Sequence, residues 1–341
     1  MFLEVGLPSR LALSLVLTVI IFPSSLRSQT DEVHVIPRDV HPPNSDGYAT
    51  TGNADPALQN TKPLRTDVSL VLVPVTVRDA MNRPVVTLKT DNFKVFEENQ
   101  PQDLRLCWKE DSPISVGVIL DFSKSMSNKI EMETAAVREF FSNANSQDDY
   151  FVIAISDRPH LIADSTDSFD ELQRRMATTV PDGNTALLDG IYVGLRKMRT
   201  ARYTRRALLI ISDGGDNHSY YNTKQIKRMA KEADVMIYSI GIFDNMPIPV
   251  FKTIEEKLGQ HLLTEISELT GGFTIAADNR EKLPEIAGTI SRALREQYIL
   301  AYRPKNQTHD GKWKKIKVQV MGFESSFPLH VDYKKGYISP G

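Results

Sequence analysis

The sequence predicts an α/β protein: a doubly wound, mostly parallel sheet with helices on both faces, flanked by N- and C-terminal β segments that form a small β-sandwich. Three observations carry this. Residues 114–120 read I-S-V-G-V-I-L, an apolar run suited to a strand buried on both faces. From residue 115 to residue 297, strand-like runs alternate with helical ones, the pattern of parallel β-α-β units. Before and after that stretch, apolar and polar residues alternate with a period of two, as antiparallel strands do.

Taken in order, residues 1–28 read as a signal peptide. Arg10 supplies a positive flank, residues 11–22 form a mostly apolar core, and Pro23, Ser24, Ser25 and Ser28 follow as cleavage points. A core of this length falls short of the ~20 residues that span a bilayer, so a signal is preferred to an uncleaved N-terminal anchor. The mature chain is therefore expected to be extracytoplasmic, periplasmic or secreted, with no membrane span. Its single cysteine, Cys107, rules out an internal disulfide framework, so stability must come from packing. Residues 29–66 are polar and aperiodic, and read as a disordered linker.

Residues 67–112 form the N-terminal β segment. Val71, Val73, Val75 and Val77 share one face, and Pro74 places this strand at an edge or a bulge. Within 113–297 the expected elements are a strand at 115–121 and a helix at 130–144. A strand at 150–155 and helices at 169–176 and 187–198 follow. Next come a strand at 207–211, a helix at 224–233 and a strand at 235–242. Residues 247–260 read as a surface insertion with some helix, followed by a helix at 261–269, a strand at 273–276 and a last helix at 281–297. Residues 298–341 return to strands and are expected to pack with 67–112. The lysines at 312, 314, 315 and 317 alternate with apolar residues, so they read as the solvated face of a strand. A net charge of −2 gives no electrostatic case for binding nucleic acid.

Chemistry concentrates in three loops. The apolar run ends in Asp121-Phe122-Ser123-Lys124-Ser125. Asp182-Gly183-Asn184-Thr185 precedes a helix. The apolar run at 208–211 ends in Ser212-Asp213-Gly214. All three belong at the carboxyl edge of the sheet, where open α/β folds bind ligands. Two carboxylates and three hydroxyls, completed by water, suit octahedral Mg²⁺. The absence of Cys and His from these loops argues against zinc or copper.

Asp-x-Ser-x-Ser, a distant Thr after Gly-Asn and a strand-terminal Ser-Asp-Gly resemble the von Willebrand factor type A domain and its metal-ion-dependent adhesion site. The resemblance covers roughly 115–297, within an expected domain of 113–297. It implies Asp121, Ser123, Ser125, Thr185 and Asp213 as ligands, directly or through water, of Mg²⁺, with Mn²⁺ or Ca²⁺ as alternatives. It also implies a non-enzymatic mode of action, in which a protein partner's Asp or Glu completes the coordination. Partner binding in the family can be coupled to a shift of the last helix. Where the family commonly has Gly, this chain has Lys124, a cation that weakens the metal or attracts an acidic partner. Lys124, Tyr220 and Tyr221 are candidate partner contacts, and Asp216 a candidate support for the ligands. The flanks, including 71–79, 91–98, 298–313 and 335–337, resemble those of bacterial exported proteins related to the same domain.

Two other readings compete. In a structural scaffold the loop would be vestigial, its hydroxyls capping helices. In a Mg²⁺-dependent phosphohydrolase, Asp121 would be a nucleophile, but Ser123 occupies the position of the usual second carboxylate. The Gly-x-Ser-x-Gly elbow and the Gly-x-x-x-x-Gly-Lys-Ser/Thr phosphate loop are both absent from the sequence.

Overall fold

A computed structural model describes residues 70–164, 169–242, 254–277, 279–323 and 328–340. The signal peptide and linker expected at 1–28 and 29–66 lie outside them. The N-terminal flank supplies β1 (Val71–Arg78), β2 (Phe93–Glu97), β3 (Gln100–Gln102) and β4 (Leu104–Glu110). The middle of the chain runs β5 (Ser115–Asp121), α1 (Ile130–Ser142), β6 (Asp149–Ile155), β7 (Pro159–Ala163), α2 (Phe169–Thr178) and α3 (Leu187–Met198). It continues through β8 (Arg206–Ser212), α4 (Thr223–Glu232), β9 (Met236–Ile242), α5 (Ile254–Thr270), β10 (Thr274–Ala277) and α6 (Leu283–Arg295). The C-terminal flank adds β11 (Gln297–Tyr302), β12 (Trp313–Val320), β13 (His330–Tyr333) and β14 (Gly336–Ile338).

The central sheet has the order β10-β9-β8-β5-β6-β7. Its strands are parallel except β7, which pairs antiparallel with β6. Every residue of β5 is buried, which explains the nearly unbroken apolar character of that run: both faces of the strand are covered. One face packs against buried residues of α1, α2 and α6, including Val137, Phe140, Leu172 and Ile290. The other packs against α3, α4 and α5 through Ile191, Leu195, Ile226 and Ile266. The chain leaves β5 toward β6 and β7, then returns to β8 on the opposite side of β5. The carboxyl ends of β5 and β8 therefore form the switch point where an open α/β sheet leaves a crevice.

The flanking strands build two antiparallel four-stranded sheets, β13-β1-β11-β4 and β14-β12-β2-β3. Each mixes strands from both ends of the chain. Their facing residues, among them Val73, Val75, Phe93, Val95, Leu300 and Val318, make one further core. In β12, Ile316 and Val318 are buried while Lys315 and Lys317 are exposed, so these lysines line a solvated strand face.

Three local expectations are corrected. β1 is an inner strand rather than an edge, although its pairing with β13 starts only at Val75, opposite Tyr333, the last residue of β13. Pro74, opposite Ile299 of β11, thus has a paired strand on one side only, and its missing donor costs no ladder bond on the other. The helix expected at 261–269 starts earlier, at Ile254, and runs unbroken through 254–260; residues 247–253 lie outside the description. The last helix stops at Arg295, and Gln297 already pairs with Glu110 as part of β11.

Candidate functional site

The three oxygen-rich loops meet at the switch point and are stitched together by their own hydrogen bonds. Asp121, the last residue of β5, is fully buried. Its Oδ1 accepts from the Ser123 backbone N–H at 3.0 Å, and its Oδ2 from the Ser212 hydroxyl at 2.7 Å. The same Ser212 oxygen accepts from the Gly214 N–H at 2.9 Å, so the first and third loops share one chain of bonds. The Lys124 N–H reaches the Gly183 carbonyl, and the Asp182 N–H the Phe122 carbonyl, which joins the first loop to the second. Asn217 closes the triangle. Its side-chain oxygen accepts from the Thr185 N–H at 2.9 Å, while the Asn217 and His218 N–H groups donate to the Thr185 carbonyl.

Within this frame the hydroxyls of Ser123 and Ser125 stand 3.0 Å apart. Ser123 and Thr185 are buried, Asp213 is partly buried, and Ser125 is exposed. The second loop turns at Gly183 with φ of +80°, a conformation that favours glycine. It is held from outside by Asp157, whose Oδ1 accepts from both the backbone and the side-chain nitrogens of Asn184. The third loop turns at Gly214, also at positive φ, where its backbone lies against Gly259 of α5.

Electrostatics single out Asp121. Burial, and then the nearby charge of Asp213, push its carboxyl up to about 6, against the pull of the bonds from Ser123 and Ser212. A second carboxyl is more extreme. Glu133 of α1 is fully buried, and among the described residues neither of its oxygens has a hydrogen-bond partner. Burial and the charge of Asp121 hold it well above the usual carboxylate range, with Lys129 acting in the opposite direction. No group of three or more His, Cys, Asp or Glu side chains converges as a cation cage among the described residues. A cation here would rely on two carboxylates plus hydroxyl and water oxygens.

The other sequence candidates separate. Lys124 is exposed beside the site, and Tyr220 stands 87 % exposed near the third loop. Tyr221 is half-buried and stacks on Tyr192 of α3, with ring centroids 3.9 Å apart. Asp189 anchors both tyrosines by accepting from their backbone N–H groups. Asp216 accepts from the Leu188 N–H and the Ser219 hydroxyl, so it serves the start of α3. Ser212 and Asn217 are the groups sequence reasoning left out of the site, and the buried Glu133 is a carboxylate it did not single out. For Glu133 a signal existed: a carboxylate in register with Val137 and Phe140 on an otherwise apolar stripe.

The polar loops gather at the switch point, the edge where open α/β sheets leave a crevice for ligands. A family model described as the von Willebrand factor type A domain matches residues 116–215, a span that contains all five candidate oxygen donors. That match supports a von Willebrand factor type A domain in this chain, a fold consistent with protein interaction or adhesion. An uncharacterized protein of Borreliella burgdorferi (strain ATCC 35210 / DSM 4680 / CIP 102532 / B31) is 25% identical over 175 residues, 46% of this chain and 51% of that protein. The chain thus spans about half the length of the curated relative it matches. Among solved structures, the conserved hypothetical protein BatB from Bacteroides thetaiotaomicron is 18% identical, with a TM-score of 0.41, covering 53% of this chain and 98% of that one. A von Willebrand factor type A protein from Catenulispora acidiphila is 9% identical, with a TM-score of 0.45, covering 80% and 74%. No helix among the described residues is long and apolar enough to cross a membrane.

Proposed function

We propose that this chain is an exported, non-enzymatic binding protein that engages an acidic group of a protein partner through a divalent cation at the carboxyl edge of its central sheet. Asp121, Ser123, Ser125, Thr185 and Asp213 hold the cation, directly or through water. Mg²⁺ is the first choice, with Mn²⁺ or Ca²⁺ as alternatives.

The observation that carries this reading is the placement of two carboxylates and the Ser123–Ser125 hydroxyl pair at one switch point, on three mutually bonded loops. The donor set fits the ion. At Mg²⁺–oxygen distances of about 2.0–2.1 Å, neighbouring vertices of an octahedron lie roughly 2.9 Å apart, and the two serine oxygens are separated by 3.0 Å. A buried Asp121 beside Asp213 is a repulsive pair that a dication relieves.

When bound, the cation supplies residual positive charge and a coordination position that a carboxylate can fill. The chain's residues do the rest. Ser212 and the Ser123 N–H fix the orientation of Asp121, Asn217 fixes Thr185, and exposed Lys124 adds attraction for an acidic surface. Tyr220 offers an aromatic contact beside the carboxylate, while Tyr221 supports the rim from its stack on Tyr192.

Thermal unfolding of the full chain in chelator, Mg²⁺ or Mn²⁺ tests the reading. A ligand that binds only the native state at 100 times its Kd stabilises by about 2.7 kcal/mol. Wild type is expected to gain such a shift and Asp121→Ala to lose it. No shift in wild type, or the same shift in the variant, would refute a cation site at these residues.

A further inference from the structure

We propose that Glu133 is a third carboxylate of the same site, acting on the cation through cation-bound water from the α1 side. This rests on the cation reading above and extends it to a residue outside the three loops.

A fully buried carboxylate is expensive to the fold unless donors or a counter-charge satisfy it, yet neither Glu133 oxygen has a hydrogen-bond partner among the described residues. It lies on the stripe Glu133, Ala136, Val137 and Phe140, the face of α1 that packs on the sheet. On that stripe it is the member closest to the first loop, one turn beyond the buried Lys129. Helical side chains lean toward the helix N-terminus, so from position 133 the carboxylate leans toward the loop that carries Asp121, Ser123 and Ser125.

Both site carboxylates act on it. The negative charges of Asp121, at the end of β5, and Asp213, just past β8, bear on Glu133, as does the positive charge of Lys129. In the bare protein, burial and the charges of Asp121 and Asp213 disfavour a charge on Glu133; a dication at the site reverses that balance and favours the ionised carboxylate. Because no cage of three such side chains converges among the described residues, Glu133 is placed behind the ligands rather than among them. Mg²⁺ keeps several of its waters, and those waters carry protons for which Glu133 has two acceptor oxygens. Groups behind the ligands in this way typically change metal affinity 10–100-fold when removed.

The test is calorimetric titration of the full chain with Mg²⁺ and with Mn²⁺, for wild type, Glu133→Gln and Glu133→Met, alongside melting curves in chelator. Both variants are expected to bind the cation about 10–100-fold more weakly, with a metal-free melting temperature equal to or above that of wild type. A purely structural residue would move the melting temperature instead. Wild-type binding with unchanged affinity in both variants would overturn this proposal alone. A lower metal-free melting temperature in both variants would mark Glu133 as structural and also overturn it. No binding by wild type would remove the cation reading and this inference with it.

Discussion

Two buried carboxylates stand at opposite ends of this molecule's polar logic. Glu97, in the β-sandwich, accepts from the Tyr302 hydroxyl at 2.7 Å and the Tyr337 hydroxyl at 3.0 Å. Glu133, under the edge of the central sheet, accepts from no described residue. The sandwich spends its polar groups on itself: Tyr298 likewise donates to the Val85 carbonyl and accepts from the Leu88 N–H. The sheet edge leaves capacity open: neither Glu133 oxygen has a partner among the described residues, and Asp121 is buried beside the charge of Asp213. Satisfied burial builds a fold, whereas unsatisfied burial of like charges points to a ligand that arrives later.

Glu97→Ala strands two tyrosine hydroxyls, and at ~1–3 kcal/mol for each unsatisfied group the loss should be roughly 2–6 kcal/mol in urea denaturation. An equal cost for Glu97→Ala and Glu133→Gln would erase the distinction between the two regions.

A second measurement sharpens the open end through pH. The folded carboxyl of Asp121 is raised from 3.8 to about 6, so the native state holds a proton that the unfolded chain has released. The stability this contributes is fully present below pH 3.8 and is lost as pH rises through about 6, a change of about 3 kcal/mol for a shift of this size. In chelator, urea denaturation should therefore show stability falling between pH 4 and 6 relative to an Asp121→Asn control. Saturating Mg²⁺ should reverse the trend, because the dication favours the ionised carboxylate.

The smallest expected effect tests how the edge is held in place. A Cβ built on Gly259 would lie 1.9 Å from the Gly214 carbonyl oxygen, so α5 and the third loop cannot both keep their positions. Inside a helix, Gly→Ala alone stabilises by roughly 0.5–1 kcal/mol. A net loss of about 1–3 kcal/mol in Gly259→Ala, as overpacking typically costs, together with weaker cation binding, would show that the close approach positions Asp213. A stabilised variant with unchanged affinity would show that it does not.

The sequence made the central sheet and its loops legible because their signals are local. A strand buried on both faces writes a continuous apolar run, and oxygen donors at its end stand out against it. The helix at 187–198 matches its periodicity residue for residue. What escaped depends on partners far along the chain. β7 is short, opens with Pro159 and is specified mainly by its antiparallel pairing with β6. The inner position of β1 could not be read because its neighbours, β11 and β13, lie more than two hundred residues away. At the site, Asn217 and Ser212 look like ordinary loop residues until Thr185 and Asp121 are seen beside them. Glu133 is visible as an anomaly in an apolar stripe, but the charges that act on it, Asp121 and Asp213, sit at the end of β5 and just past β8, the latter far along the chain from α1.

The register of β4 and β11 carries one more consequence. Glu110, where the chain leaves the sandwich, is paired directly with Gln297, where it returns. The whole α/β region is thus a single loop hung from two adjacent strand ends. Gln297 fastens the return point by donating to the Tyr238 hydroxyl of β9 and the Thr76 hydroxyl of β1. Because closure entropy grows only with the logarithm of loop length, the sandwich bears little extra cost for so large an insert. To the strands, a whole domain in that position differs from a short hairpin turn mainly in how long its ends take to meet.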